Sequence, residues 1–202
     1  KDVHAFPALS FVPDGIALAS INYTLAPEAD MDEIVRECRA AVAWCAENAA
    51  ELNIDADRIH VSGHSAGGHL TAMMLATDWP AFQPGLAPDL VKSGVPISGL
   101  YDLEPIRWTY LNEDVRLTED LAARNSPVRL TPKGPGAMVV AAGGIESGEF
   151  HRLQSELVAA WQPHIPDIEE IAMPGLHHFN VVTALGEADS PLYQAARRRI
   201  LG

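Results

Sequence analysis

One short stretch constrains the fold of this chain more than any other: Gly63-His64-Ser65-Ala66-Gly67-Gly68-His69, which fits G-x-S-x-G. Its flanks carry as much information as the pattern. Before it, Arg58-Ile59-His60-Val61-Ser62 alternates polar and apolar residues as a short strand does. After it, Leu70-Thr71-Ala72-Met73-Met74-Leu75-Ala76 is rich in helix formers. A strand that turns sharply into a helix at a serine is a nucleophile elbow. There the serine is held at φ > 0, so that its hydroxyl stands clear of the sheet. Glycine at 63 and 67 is expected to relieve the close passage of strand and helix. The helix N-terminus behind Ser65 favours negative charge developing at a reacting carbonyl.

Around the elbow, strand and helix patterns alternate. Residues 1–15 read as the tail of an amphipathic helix (Val3, Phe6, Leu9, Phe11) closed by the turn Pro13-Asp14-Gly15. Ile16 to Asn22 is almost wholly apolar, as a strand buried on both faces is. Asp30-Met31-Asp32-Glu33 opens a helix, with Asp30 as its cap and Glu33 at the capping-box position. Ile34, Cys38, Ala41, Val42, Cys45 and Ala49 then recur at helical spacing, and Asn53 is the expected stop. Strands are expected at 91–98, 137–142 and 168–173, a helix at 149–161, and two further helical stretches at the end. From Ile106 to Pro135 no strand pattern is found, which suggests an inserted lid or pocket wall over about 106–135. This order predicts an α/β fold whose mainly parallel sheet has helices on both faces. With no repeat or linker, residues 1–202 read as a single domain.

Charge and cysteines narrow the setting. A net charge of −13 argues against nucleic acid and anionic membranes as partners, and no apolar run approaches a membrane span. Cys38 and Cys45 sit on one helix, separated by roughly 10 Å of rise, too far for a disulfide. Buried thiols in a reducing cytoplasm are the simpler expectation. Homodimerisation is left open by the sequence.

Serine needs a base to take its proton and a third group to orient that base. In a fold with this elbow the partners follow in the order Ser, acid, His, from loops at the carboxyl ends of strands. Glu146 follows the strand ending at Ala142, with Glu149 and Asp102 as rivals. His177 and His178 follow the strand ending at Met173; adjacent residues point apart, so at most one faces Ser65. His60, His64 and His69 straddle strand, turn and helix rather than one helical face, so they read as structural and no metal or other cofactor is expected.

Asn22-Tyr23-Thr24-Leu25-Ala26-Pro27-Glu28, followed by Gly63 through Leu70, resembles the hormone-sensitive-lipase-like branch of the α/β-hydrolases. Within it, Ser98 through Ile106, Glu146-Ser147-Gly148-Glu149-Phe150 and His178-Phe179 resemble arylformamidase. The resemblance implies Ser65 as nucleophile, Glu146 as acid and His178 as base, with the Ala66 N–H as one oxyanion donor. It also implies a small aryl formamide or short-chain ester as substrate. Trp108 and Tyr110, in the inserted segment, are candidates for stacking on an aromatic ring. A non-catalytic small-molecule binder on the same fold is the alternative. Three departures from the family pattern stand out. Thr24 replaces an arginine, glutamate replaces the usual acid-position aspartate, and the H-G-G segment that supplies the second oxyanion donor does not occur in these residues. The family's early strands and its H-G-G loop are therefore expected upstream of Lys1.

Overall fold

The computed structural model describes residues 5–134 and 136–202. Four parallel strands form its sheet: β1 (Ile59–His64), β2 (Val91–Ile97), β3 (Ala137–Gly143) and β4 (Ile168–Met173). They lie side by side in chain order, so each connection moves one strand along in the same direction. The ladders pair Ile59 with Val91, Ser93 with Ala137 and Met138 with Ile168 at one end. All four carboxyl ends therefore open on the same edge.

Four longer helices flank the sheet: α1 (Met31–Glu47), α2 (Ala66–Leu75), α3 (Gly148–Trp161) and α4 (Pro191–Leu201). β3 shows how the two faces divide. Its Met138 and Val140 pack in a core with Val35, Cys38, Met73, Leu153, Leu157 and Trp161, from α1, α2 and α3. Val139 and Ala141 point the other way, against Leu192, Tyr193 and Ala196 of α4 and Val181 and Leu185 before it. This alternation is the two-residue period of a strand buried on both sides. Helices thus cover both faces, as the sequence order predicts.

Local signals explain the helix ends. The Asp30 carboxylate accepts from the Glu33 N–H at 2.9 Å and caps α1. Glu33 does not complete a capping box, because its own carboxylate is taken by Arg36. The helix ends at Glu47, and a further turn, Ala49–Leu52, stops at Asn53 with φ 53°. Both cysteines are free thiols; Cys38 is buried and Cys45 partly so. Burial pushes the Cys38 thiol up to about 12, in keeping with a packing role.

Two expectations need correction. Ile16 to Asn22 is not a strand: the sheet begins at β1, and Leu18 and Ile21 are exposed. An apolar run becomes a strand only where a neighbour completes its hydrogen-bond ladder, and among the described residues β1 pairs with β2 alone. The N-terminal helix reduces to Ala8–Phe11 and a 3₁₀ turn at Val12–Asp14, with Phe11 buried but Leu9 exposed. Val3 lies outside the described residues. The Tyr193 hydroxyl donates to the Asp14 carboxylate at 2.6 Å, and Arg197 pairs with the same group, which ties this segment to α4.

Between β2 and β3 the described residues contain only short helical turns: Pro105–Trp108, Asn112–Val115, Glu119–Arg124 and Pro127–Arg129. Trp161 holds this segment down. Its indole N–H lies 3.1 Å from the Pro127 carbonyl and 3.0 Å from that of Leu130. Among the described residues no helix is long and apolar enough to cross a membrane.

Candidate active site

Ser65 stands between β1 and α2 with φ 58° and ψ −115°, a conformation that costs an ordinary residue energy and persists where its surroundings enforce it. Its N–H donates to the Ile97 carbonyl of β2 at 2.9 Å, which pins the turn to the neighbouring strand. Two glycines allow this. A Cβ at Gly63 would lie 2.3 Å from the Gly67 carbonyl oxygen, and one at Gly68 would lie 2.7 Å from the Ile97 oxygen. Gly67 itself has open space where a Cβ would go, so the expected pair of crowded positions is 63 and 68 rather than 63 and 67. The strand approaches the backbone of residue 67, not its missing side chain.

The parallel register brings the next groups to the same edge. Ser98 follows β2, Glu146 follows β3 and His178 follows β4. The loops after β3 and β4 are laced together: the Gly144 N–H donates to the Met173 carbonyl at 2.8 Å and the Ile145 N–H to that of Leu176 at 3.1 Å. Within this frame the His178 Nε2 lies 3.0 Å from Ser65 Oγ, and its Nδ1 lies 2.9 Å from Glu146 Oε2. The other carboxylate oxygen, Oε1, accepts from the Ser98 hydroxyl at 2.5 Å and from the Gly143 N–H at 2.7 Å. Burial of Glu146 would raise its pKa, but the donors Ser98, His178 and Gly143 outweigh this and hold it below the ordinary carboxylate range. Aromatic rings enclose the imidazole: Phe150 stacks at 4.5 Å, His64 lies at 4.6 Å and Phe179 stands edge-on at 5.4 Å.

The rivals are engaged elsewhere. Glu149 pairs with Arg152 on the surface of α3. Asp102 accepts from the Glu104 N–H and pairs with Arg129. At His177 the N–H bonds the Asn180 side chain and the ring accepts from the Phe179 N–H. Two further histidines are bound into the fold: His60 Nδ1 meets Ser93 Oγ at 2.7 Å, and the buried His69 Nε2 meets the Asn125 carbonyl at 2.7 Å. Burial pushes both down to about 4. Among the described residues no three His, Cys, Asp or Glu side chains converge as a metal site.

Ala66, the first residue of α2, borders a cavity of about 180 Å³. An N–H in the first turn of a helix has no acceptor within that helix and is available to an anion. Tyr23, Leu25, Met31, Ile34, Leu70 and Val115 line the cavity and make it apolar. Trp108 and Tyr110 do not belong to this lining. Both are largely exposed, and Trp108 bonds Glu104 and lies under Arg107. The lining residues come from the loop before α1, the start of α1, α2 and the segment before β3, and no local pattern marks them as a group. Thr24 fixes part of that loop, since its N–H and hydroxyl both donate to Glu37.

Comparison with known proteins fits this architecture. A family model described as BD-FAE matches residues 2–82. Kynurenine formamidase of Salmo salar is 32% identical over 96% of this chain, and that of Danio rerio is 31% identical over 92%. A crystal structure of a candidate thioesterase from Silicibacter sp. superposes with a TM-score of 0.80 at 33% identity, over 94% of this chain and 67% of that one. The chain is an α/β-hydrolase. It belongs to the hormone-sensitive-lipase-like branch and resembles the arylformamidases. A thermostable carboxylesterase cloned from a metagenomic library shares the fold of this α/β-hydrolase, with a TM-score of 0.76 at 20% identity over 98% of this chain and 72% of that one. The chain spans 66% and 62% of the length of the two formamidases.

Proposed function

We propose that this α/β-hydrolase is a cofactor-independent serine hydrolase that cleaves a small aryl formamide or a short-chain carboxylic ester through a formyl- or acyl-enzyme. The support is the imidazole of His178, which lies within hydrogen-bond reach of both Ser65 Oγ and Glu146 Oε2. An ionised carboxylate only accepts, so the Nδ1 facing it carries the proton and Nε2 is left free to take the one on Ser65. Ser65 then attacks the carbonyl carbon, the Ala66 N–H stabilises the resulting oxyanion, and His178 returns its proton to the leaving nitrogen or oxygen. Water, deprotonated by the same imidazole, releases the formate or carboxylate and restores Ser65. The apolar cavity beside Ala66 suits a hydrophobic substrate group, and the relatives named kynurenine formamidase favour an aryl formamide. In this reading the segment at 106–135 walls the site, with Val115 its contribution to the cavity.

The test is hydrolysis of N-formylkynurenine against p-nitrophenyl acetate, compared by kcat/KM, with Ser65→Ala as control. A formamide preference abolished by Ser65→Ala is expected. Ester turnover alone would point to a carboxylesterase, and activity surviving Ser65→Ala would remove the mechanism.

A further inference from the structure

Glutamate at the acid position raises a geometric question. It has one more rotatable bond than aspartate, so its carboxylate has more ways to turn away from the imidazole it must orient. The structure restrains that freedom from one side. Oε1 takes two donors, the Ser98 hydroxyl at 2.5 Å and the Gly143 N–H at 2.7 Å, and this leaves Oε2 aimed at His178. Gly143 acts through backbone that the sheet fixes in any case. Ser98 is a side chain placed for the purpose.

Three observations set Ser98 apart from an ordinary buried serine. It is 2% exposed, its hydroxyl donates to a carboxylate whose side chain is fully enclosed, and its backbone lies at φ 47°. That left-handed conformation is uncommon for any residue but glycine, and residues held in it cluster at functional sites. Its N–H donates to the Ala141 carbonyl of β3 at 2.8 Å, so the turn that aims the hydroxyl is locked to the strand leading into Glu146. The other titratable groups near Glu146 are His178 on its open side and Tyr101, whose buried phenol oxygen accepts from the Gly99 N–H. Of the two donors to Oε1, Ser98 is the one that acts through a side chain.

We propose that Ser98 is a positioning residue of the hydrolytic site, a fourth member that fixes the Glu146 carboxylate so that a glutamate serves at this position. This rests on the Ser65–His178–Glu146 reading above. Ser98 touches no substrate and acts only through Glu146.

The test is a kinetic cycle in the intact protein, using whichever of N-formylkynurenine or p-nitrophenyl acetate the parent turns over. Ser98→Ala and Ser98→Gly are each expected to lower kcat tenfold or more, with KM within twofold of the parent. Glycine tolerates φ 47°, so Ser98→Gly removes the hydroxyl without straining the backbone and guards against a variant that fails to fold. The acid limb of kcat/KM is expected to move to higher pH in both, because the charged form of the Glu146 carboxylate loses a donor. In a Glu146→Ala background, Ser98→Ala is expected to cost less than a further twofold. Ser98→Gly turning over within threefold of the parent would overturn the proposal, as would losses that multiply in the double variant. Ser65→Ala, run in parallel, separates the two ideas. If it retains activity the hydrolytic reading fails; if it is inactive while the Ser98 variants are fully active, only the role of Ser98 fails.

Discussion

Under the proposed function, replacing Glu146 by glutamine probes the relay through the ring proton that its carboxylate would control. Glutamine is nearly the same shape, but its head offers one acceptor and one donating NH₂. The Oε1 site faces two donors, the Ser98 hydroxyl and the Gly143 N–H, the latter a fixed backbone group at 2.7 Å. An NH₂ placed there would meet the Gly143 N–H donor to donor, so the amide oxygen must take that site. The NH₂ is then left facing His178 Nδ1, 2.9 Å away in the parent, where it donates. Nδ1 becomes an acceptor, the ring proton moves to Nε2, and Nε2 no longer accepts from Ser65. A triad set in the wrong tautomer loses on the order of 10⁴ in kcat, roughly 5 kcal/mol of barrier. Substrate contacts are untouched, so KM should stay within about threefold. The assay is steady-state hydrolysis of the preferred substrate, with thermal melts to show that Glu146→Gln is folded. A folded Glu146→Gln variant with kcat within tenfold of the parent would refute the reasoning, since Nδ1 would then not need a carboxylate.

Two further expectations concern the elbow and the cavity. Gly63→Ala sets a Cβ 2.3 Å from the Gly67 oxygen and should destabilise by about 3 kcal/mol or abolish folding, whereas Gly67→Ala meets nothing within 4 Å and should hold or gain up to about 1 kcal/mol from helix propensity. Urea unfolding of the pair checks this, and equal losses would contradict the crowding argument. Val115→Trp should fill part of the cavity of about 180 Å³ and lower kcat/KM about tenfold or more for N-formylkynurenine or a p-nitrophenyl ester, while methyl acetate changes by less than about threefold. A uniform effect across these substrates would mean that the cavity does not receive them.

Much of the fold was legible because its signals are local. The runs at 137–142 and 168–173 carry the apolar and β-branched residues of strands, and the structure has strands at Ala137–Gly143 and Ile168–Met173. The helix expected at 149–161 spans Gly148–Trp161, since Leu153, Leu157 and Trp161 return to one face every four residues. The serine between a strand and a glycine-bearing helix start is likewise a local pattern, and the strained turn found at Ser65 is its backbone consequence. The exception is instructive. Ile16 to Asn22 has the composition of a buried strand but lies outside the ladder, because a strand is a relation between segments and not a property of one.

By itself the sequence determined the α/β alternation, the elbow and a short roster of acids and histidines in the order that serine chemistry requires. The residue pattern, taken without the family resemblance, left Glu149, Asp102 and His177 as rivals, and tertiary structure decided which of them meet. Glu146 lies against His178, while Glu149 and Asp102 are held by arginines, because β3 and β4 are neighbours and the loops leaving them are bonded together. Ser98 joins the group because β2 pairs with β3, though 48 residues separate it from Glu146 in the chain. The cavity is likewise built from Tyr23, Met31 and Val115, while the aromatic pair Trp108 and Tyr110 faces solvent. Hydrophobic periodicity reports which side of an element is buried; which distant side chains converge depends on strand register, and that is fixed only when the sheet assembles.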